Sequence, residues 1–246
     1  MRLDISTDKL AVGFLLGAMA SGLTAAALCG AGTAAATCAS ISGVSAGTGC
    51  TSSGMSFAIG IGTGNTVTAG GLFSSAVAIG TNNTTTAVGD NNKAYANGDN
   101  NQAIATGGNF NTATATGTKA RAQAGSNSTN SNNNTAIATG SNVTATAGST
   151  CTDCNNNIAT VTATNPQNLV TNAIAGAQGT NLSNNSATAT GAGAIAIAAF
   201  QSTNSSNNTA SATSTGTFSF AGAGIGVTNK GGFTAIAGPM QVVNSP

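Results

Sequence analysis

Residues 89–117 read GDNNKAYANGDNNQAIATGGNFNTATATG. A Gly and an Asn-rich corner are followed, three times over, by a short run in which every second residue is Ala. Aligned on the Gly, the phrase recurs as FAIG (57–60), VAIG (77–80), TAVG (86–89), YANG (95–98), IATG (104–107 and 137–140) and TATG (114–117 and 188–191). Gly80, Gly89, Gly98 and Gly107 follow one another at nine-residue intervals. A second signature, Asn-x-Ala-x-Ala, begins at Asn92, Asn101, Asn111, Asn134, Asn185 and Asn208. Alternation over about five residues, bounded by Gly and Asn, reads as a strand and a turn. Helix is a poor reading, because Gly, Asn and Thr recur too often for a helix interior. Short strands at fixed spacing predict an all-β solenoid in which each coil stacks on its neighbours. Two nine-residue units make one flattened coil.

The alternation also assigns the faces. Ala94, Ala96, Ala103, Ala105, Ala113, Ala115, Ala122 and Ala124 form one set, and Tyr95, Asn97, Ile104, Thr106, Thr114, Thr116, Arg121 and Gln123 the other. Successive strand side chains point to opposite faces. Arg121, Gln123 and Asn97 belong in water, so the Ala set is placed inside. Such a core brings two sheets close together, and each coil gains little burial, about 0.8 kcal/mol per CH₂. Stacking must supply the backbone hydrogen bonds, and corner Asn residues suit both left-handed turns and ladders between coils.

Composition keeps a rival open. Only 4% of the 246 residues are charged, the formal charge is +1, and Leu, Ile, Val and Phe together number 41. So few large apolar residues leave a largely disordered low-complexity chain as the alternative to an order made by repetition. No basic or acidic patch exists, so nucleic acid and anionic lipid are excluded as partners held by charge. The chain has no His and no Glu. No catalytic set can be assembled from what remains, so a non-enzyme is expected, without cofactor or metal.

The N-terminus carries an address. Arg2 and Lys9 precede uncharged residues 10–28, and Ala34-x-Ala36 supplies a cleavage signal. Residues 1–36 are read as a signal peptide, with a retained membrane anchor as the rival; both place the rest of the chain outside the cell, secreted or at its surface. Removing residues 1–36 leaves Cys38, Cys50, Cys151 and Cys154. The simplest pairing is local, Cys38 with Cys50 and Cys151 with Cys154, and two other connectivities are open. Read onward from the signal peptide, residues 37–55 are a disulfide-bearing segment and 56–148 the regular solenoid. Residues 149–217 are its irregular continuation, and 218–246 a more apolar C-terminal cap or last strands. In the first coils Phe57, Ile59, Val77 and Ile79 take the face that later holds Thr and Asn, and residues 37–55 or a second subunit are expected to cover it.

The run SSAVAIGTNNTTTAVGDNNKAYANGD (74–99) resembles the head domains of trimeric autotransporter adhesins. GDNNKAYA, GDNNQAIA and GNFNTATA are similar to the repeats of curlins, the subunits of bacterial amyloid fibres, without their closing Gln. The first resemblance implies a left-handed β-roll that binds host or matrix surfaces, the second a chain that stacks on copies of itself. No heptad stalk or C-terminal barrel accompanies the repeats, so what the resemblance covers is a repeat style. Together with the composition it predicts an exported structural or adhesive surface protein, with self-association and a surface or matrix ligand as its partners. Apart from the export segment, no contact with a membrane is expected. The candidate contact face is Tyr95, Ile104, Thr106, Thr114, Thr116, Ile137, Thr139, Thr188 and Thr190.

Other motifs are weaker. GAGIGVTNKGG lacks the strand–helix setting of a phosphate loop. Asp90 and Asp99, in matching GDNN corners, invite a calcium reading but offer too few oxygens. Ice binding is the alternative function, because TATAT (112–116), TATAG (144–148), TVTAT (160–164) and TSTGT (213–217) could put Thr on one flat face. Their irregular intervals argue against rows in register. A disordered coat or linker component is the third reading.

Overall fold

The computed structural model describes residues 37–127, 130–163, 171–214, 218–238 and 241–245. The proposed signal peptide lies outside them. The chain winds as an all-β solenoid in which 21 strands, numbered in chain order, build two sheets. The first sheet holds β1 (Thr37–Ile41), β2 (Val44–Ala46), β4 (Met55–Ile61), β6 (Leu72–Thr81), β8 (Lys93–Asp99) and β10 (Thr112–Ala115). It continues through β12 (Thr135–Ile137), β14 (Ile158–Thr160), β16 (Ser186–Thr188), β18 (Thr209–Ala212) and β20 (Thr234–Ala237). The second holds β3 (Cys50–Ser52), β5 (Thr66–Gly70), β7 (Thr84–Val88), β9 (Gln102–Ala105) and β11 (Arg121–Ala124). It ends with β13 (Val143–Ala147), β15 (Thr171–Ala177), β17 (Ala194–Phe200), β19 (Ser219–Ala223) and β21 (Val242–Ser245). Consecutive strands from β3 onward fall on opposite sheets, and each pairs in parallel with the strand two places on.

The interior is almost entirely Ala. Ala76, Ala94, Ala113, Ala136, Ala159, Ala187, Ala210 and Ala235 stack in one column of the first sheet, all of them buried. From β4 to β20 that column holds Ala alone, in keeping with a core so poor in Leu and Ile. Thr85 takes an Ala position between Val67 and Ala103, and its buried hydroxyl finds no hydrogen-bond partner.

Order comes instead from Asn, and the repeated Asn-Asn pair divides the work. The first residue of each pair turns the corner: Asn82, Asn91, Asn100, Asn133, Asn156, Asn184 and Asn207 all have φ between 54° and 61°. Asn enters this left-handed region more readily than most side chains. The second residue points inward and is buried. The Asn134 backbone N–H donates to Asn111 Oδ1 (3.0 Å), and the Asn157 N–H donates to Asn134 Oδ1 (3.0 Å). The ladder runs from Asn92 through Asn185 and Asn208 to the Phe233 N–H. A shorter one at the opposite corner runs Asn65, Asn83, Asn101 and ends on the Ala120 N–H. Five of the six Asn-x-Ala-x-Ala signatures begin on the long ladder, and Asn101 begins on the short one.

Coil length is not constant. Ladder partners are 18 residues apart at first (Asn65 to Asn83), then 23 (Asn111 to Asn134) and 28 (Asn157 to Asn185). The extra residues leave the strands in register. Some of them build a narrow third side, where Thr152, Thr180, Thr203 and Thr228 pair from coil to coil over a small cluster of Cys151, Cys154, Leu182 and Ala199. Residues 218–245 likewise add β19, β20 and β21 in register with the coils before them.

The two ends differ. At the N-terminal end β1 runs antiparallel to β4 and pairs with the three-residue β2, while Cys38 is bonded to Cys50 in β3. Residues 37–52 thus form the last layer at this end, with β2 and β3 as its edge strands, and do not cover the face of Phe57, which stays 39% exposed. At the C-terminal end β20 and β21 are the last strands of their sheets. Cys151 is bonded to Cys154.

Candidate functional site: the outer face of the first sheet

From β10 to β18 each coil presents three outward positions, two within the strand of the first sheet and a third just beyond its end. Counted from the buried ladder Asn they are the first, third and fifth residues after it. The segments are NTATAT (111–116), NTAIAT (134–139), NIATVT (157–162), NSATAT (185–190) and NTASAT (208–213). The first outward column is Thr112, Thr135, Ile158, Ser186 and Thr209, and the second is Thr114, Ile137, Thr160, Thr188 and Ser211. The third, at the same offsets, is Thr116, Thr139, Thr162, Thr190 and Thr213; the Gly117 N–H donates to the Thr139 carbonyl at 2.7 Å and holds the start of it. All fifteen are at least partly exposed, and none is charged or aromatic.

The spacing follows from the sheet. Neighbouring coils lie about 4.8 Å apart, and alternate residues along a strand about 6.7 Å apart. Five strands and three columns therefore cover an area of roughly 19 by 13 Å. Sheets this broad ordinarily twist, and the flat ones are held by stacking and side-chain ladders. Here the long Asn ladder runs immediately beside the first column. Thr and Ile also have few χ1 choices, so hydroxyl and methyl positions repeat from coil to coil.

The neighbouring surfaces are less uniform. Toward the N-terminus the same columns change to Phe57, Ser75 and Lys93, and to Ile59, Val77 and Tyr95. The opposite sheet interrupts its Thr residues with Gln102, Arg121, Gln123 and Asn172.

Seven of the nine candidate contact residues share the first sheet: Tyr95, Thr114, Thr116, Ile137, Thr139, Thr188 and Thr190. Ile104, in β9, and Thr106 just after it lie on the opposite side of the solenoid. Of the four Thr-rich runs, those beginning at Thr112, Thr160 and Thr213 reach the first sheet, whereas Thr144 and Thr146 sit in β13 of the second. Thr164 and residues 215–217 lie outside the described residues. The remaining grid positions, among them Thr135, Ser186 and Thr209, emerge only when the chain is aligned on the ladder Asn.

Asp90 and Asp99 occupy opposite corners. Asp90 accepts the Leu72 N–H (2.9 Å) and Asp99 the Thr81 N–H (3.1 Å), so each carboxylate caps a neighbouring coil. Among the described residues no group of three His, Cys, Asp or Glu side chains could hold a metal ion, and no helix is long and apolar enough to cross a membrane. No known protein family matches this chain, and neither a curated protein nor a solved structure is similar to it.

Proposed function

We propose that the chain is an exported, non-enzymatic surface protein that adheres through the outer face of its first sheet. The observation that carries this reading is the uncharged grid of Thr, Ser and Ile that stays in register while coil length changes. A solvated strand face has no need of that uniformity; a face that must lie against another surface does. The disulfides favour an oxidising compartment, in agreement with the export signal read at the N-terminus. The resemblance of the repeat to adhesin heads points the same way.

The test is adsorption of the purified chain to a panel of solids: ice, cellulose, chitin, silica and hydroxyapatite. Paired substitutions Thr139→Lys and Thr162→Lys are expected to abolish retention on whichever solid binds, while Thr146→Lys on the second sheet leaves it intact. Retention should also persist at 1 M salt, where charge attraction is screened beyond about 3 Å. Retention on none of the solids, or equal retention by both variants, rejects the adhesive reading.

Self-association is supported by a separate observation. β20 and β21 each have a neighbour on one side only, and open strand edges are templates for further pairing. Concentration-dependent filaments or dimers in electron microscopy and sedimentation are expected, with Ile236→Pro in β20 reducing them. A monomer at all concentrations would reject it.

A further inference from the structure

We infer that the solid bound by the Thr face is crystalline water. This rests on the adhesive reading above and names its ligand. A receptor that repeats by translation in two directions matches a ligand that does the same, and a discrete molecule has no use for five equivalent rows. The ligand is therefore a lattice.

The chemistry of the face selects among lattices. An ionic mineral would call for rows of carboxylates or cations, and the grid has none. A protein partner would be expected to find aromatic or Arg anchors, which dominate protein interfaces. None stands within the grid: Tyr95 borders it beside Thr114, Phe110 precedes its first ladder Asn, and Arg121 lies on the opposite sheet. What the grid offers is a hydroxyl and a methyl together at eleven of its fifteen points, and one of the two at the others. The methyl groups enclose water between the columns without binding it, and the hydroxyls hydrogen-bond the edges of the cages so formed. Repeats of about 4.8 Å between coils and about 6.7 Å along them lie near the oxygen repeats on the faces of hexagonal ice. Charged side chains would hold water in shells of another geometry, so their absence becomes an element of the fit.

The third column carries the argument furthest. Thr116, Thr139, Thr162, Thr190 and Thr213 are one residue type throughout. In the earlier coils the corresponding positions are Ile61, Ile79 and Asn97, so the solenoid does not require Thr there. Coil length also rises from 18 to 23 residues without shifting the first two columns. A binding surface confined to β10–β18 explains both.

Thermal hysteresis and ice-crystal shape, measured on the full purified chain, test the proposal. The expected result is a gap between melting and freezing points with faceted crystals, lost completely with Thr139→Lys plus Thr162→Lys and retained with Thr146→Lys. Circular dichroism of the double variant must keep its β signal; if it does not, Thr139→Val plus Thr162→Val, which preserves β-branching and removes two hydroxyls, takes its place and is expected to narrow the gap. Round crystals and no gap with the unaltered chain overturn the inference. If the chain is then still retained on cellulose or chitin through the same face, the adhesive reading stands and only the ligand was wrong. If nothing is retained, both fall. A gap indifferent to the first-sheet variants also overturns it, because the site would lie elsewhere.

Discussion

Asn133 and Asn134 are adjacent, identical and assigned to different tasks, so replacing each with Ala should give sharply different losses of stability. Asn134 is buried. Its Oδ1 accepts the Asn157 N–H (3.0 Å) and Asn157 Nδ2 (3.1 Å), and its Nδ2 donates to Asn111 Oδ1 (3.1 Å) and the Cys154 carbonyl (2.8 Å). Asn134→Ala removes all four bonds. Three of the groups left behind keep a partner, since Cys154 O still accepts from Ser131 Oγ, Asn111 Oδ1 still accepts the residue 134 N–H, and Asn157 Nδ2 still donates to the Leu182 carbonyl. The Asn157 N–H does not. One orphaned buried donor costs about 1–3 kcal/mol, and the three other lost bonds about 0.5–1.5 kcal/mol each, so a total of roughly 2.5–7.5 kcal/mol is expected. Asn133 is exposed with φ 56°, and Asn133→Ala forces a side chain with no local hydrogen bond into the left-handed region at about 1–2 kcal/mol. Asn133→Gly should be close to neutral, because Gly accepts that conformation freely. Urea unfolding followed by circular dichroism measures all three, with the slope checked because repeat arrays can unfold in stages. If Asn133→Ala proves as costly as Asn134→Ala, the division of labour within the Asn-Asn pair is wrong.

Thr85→Val removes the one unpartnered buried hydroxyl among the described residues, in a column where Val67 already fits. A gain of about 1 kcal/mol is expected in the same assay. Gly80 has φ 114°, and a Cβ there would run into the carbonyl oxygen of Gly98 in the next coil. Gly80→Ala should cost at least about 2 kcal/mol, with faster hydrogen exchange in β6 and β8. Cys38→Ser with Cys50→Ser opens a loop of sequence separation 12, for which chain entropy gives a loss of about 3 kcal/mol. Hydrogen exchange should rise in β1–β4 and stay unchanged beyond β10, because coils interact only with their neighbours.

The solenoid and its Ala interior were legible because both depend on local pattern alone. Ala at alternate positions leaves room for no other arrangement of two sheets, and the nine-residue interval between Gly80, Gly89, Gly98 and Gly107 gives the half-coil. The contact face was only half legible, and for a geometric reason. Successive units alternate between sheets, so a set gathered along the chain mixes two surfaces, as it did with Ile104 and Thr106. The Thr-rich runs looked irregular for a second reason. Register is kept by the ladder Asn, not by a fixed number of residues, and the third side absorbs some of the difference. Counting outward from Asn111, Asn134, Asn157, Asn185 and Asn208 aligns the rows at once. The closing hairpin of β1 and β2 had no such signal, since Thr37–Ala46 carries no Asn corner and its pairing with β4 reverses the direction found everywhere else.

The direction of the ladders has a mechanical consequence. All backbone bonds between coils, and both Asn columns, point along the solenoid axis, whereas across the face the chain itself is continuous. A pull along the strands of the first sheet is carried by covalent bonds. A pull along the axis loads the hydrogen bonds, which can open coil by coil like the teeth of a zip. The disulfide between Cys38 and Cys50 ties β1 to β3 across the terminal layer and spans no boundary between coils. Under axial load the structure should therefore part between coils while each coil stays whole.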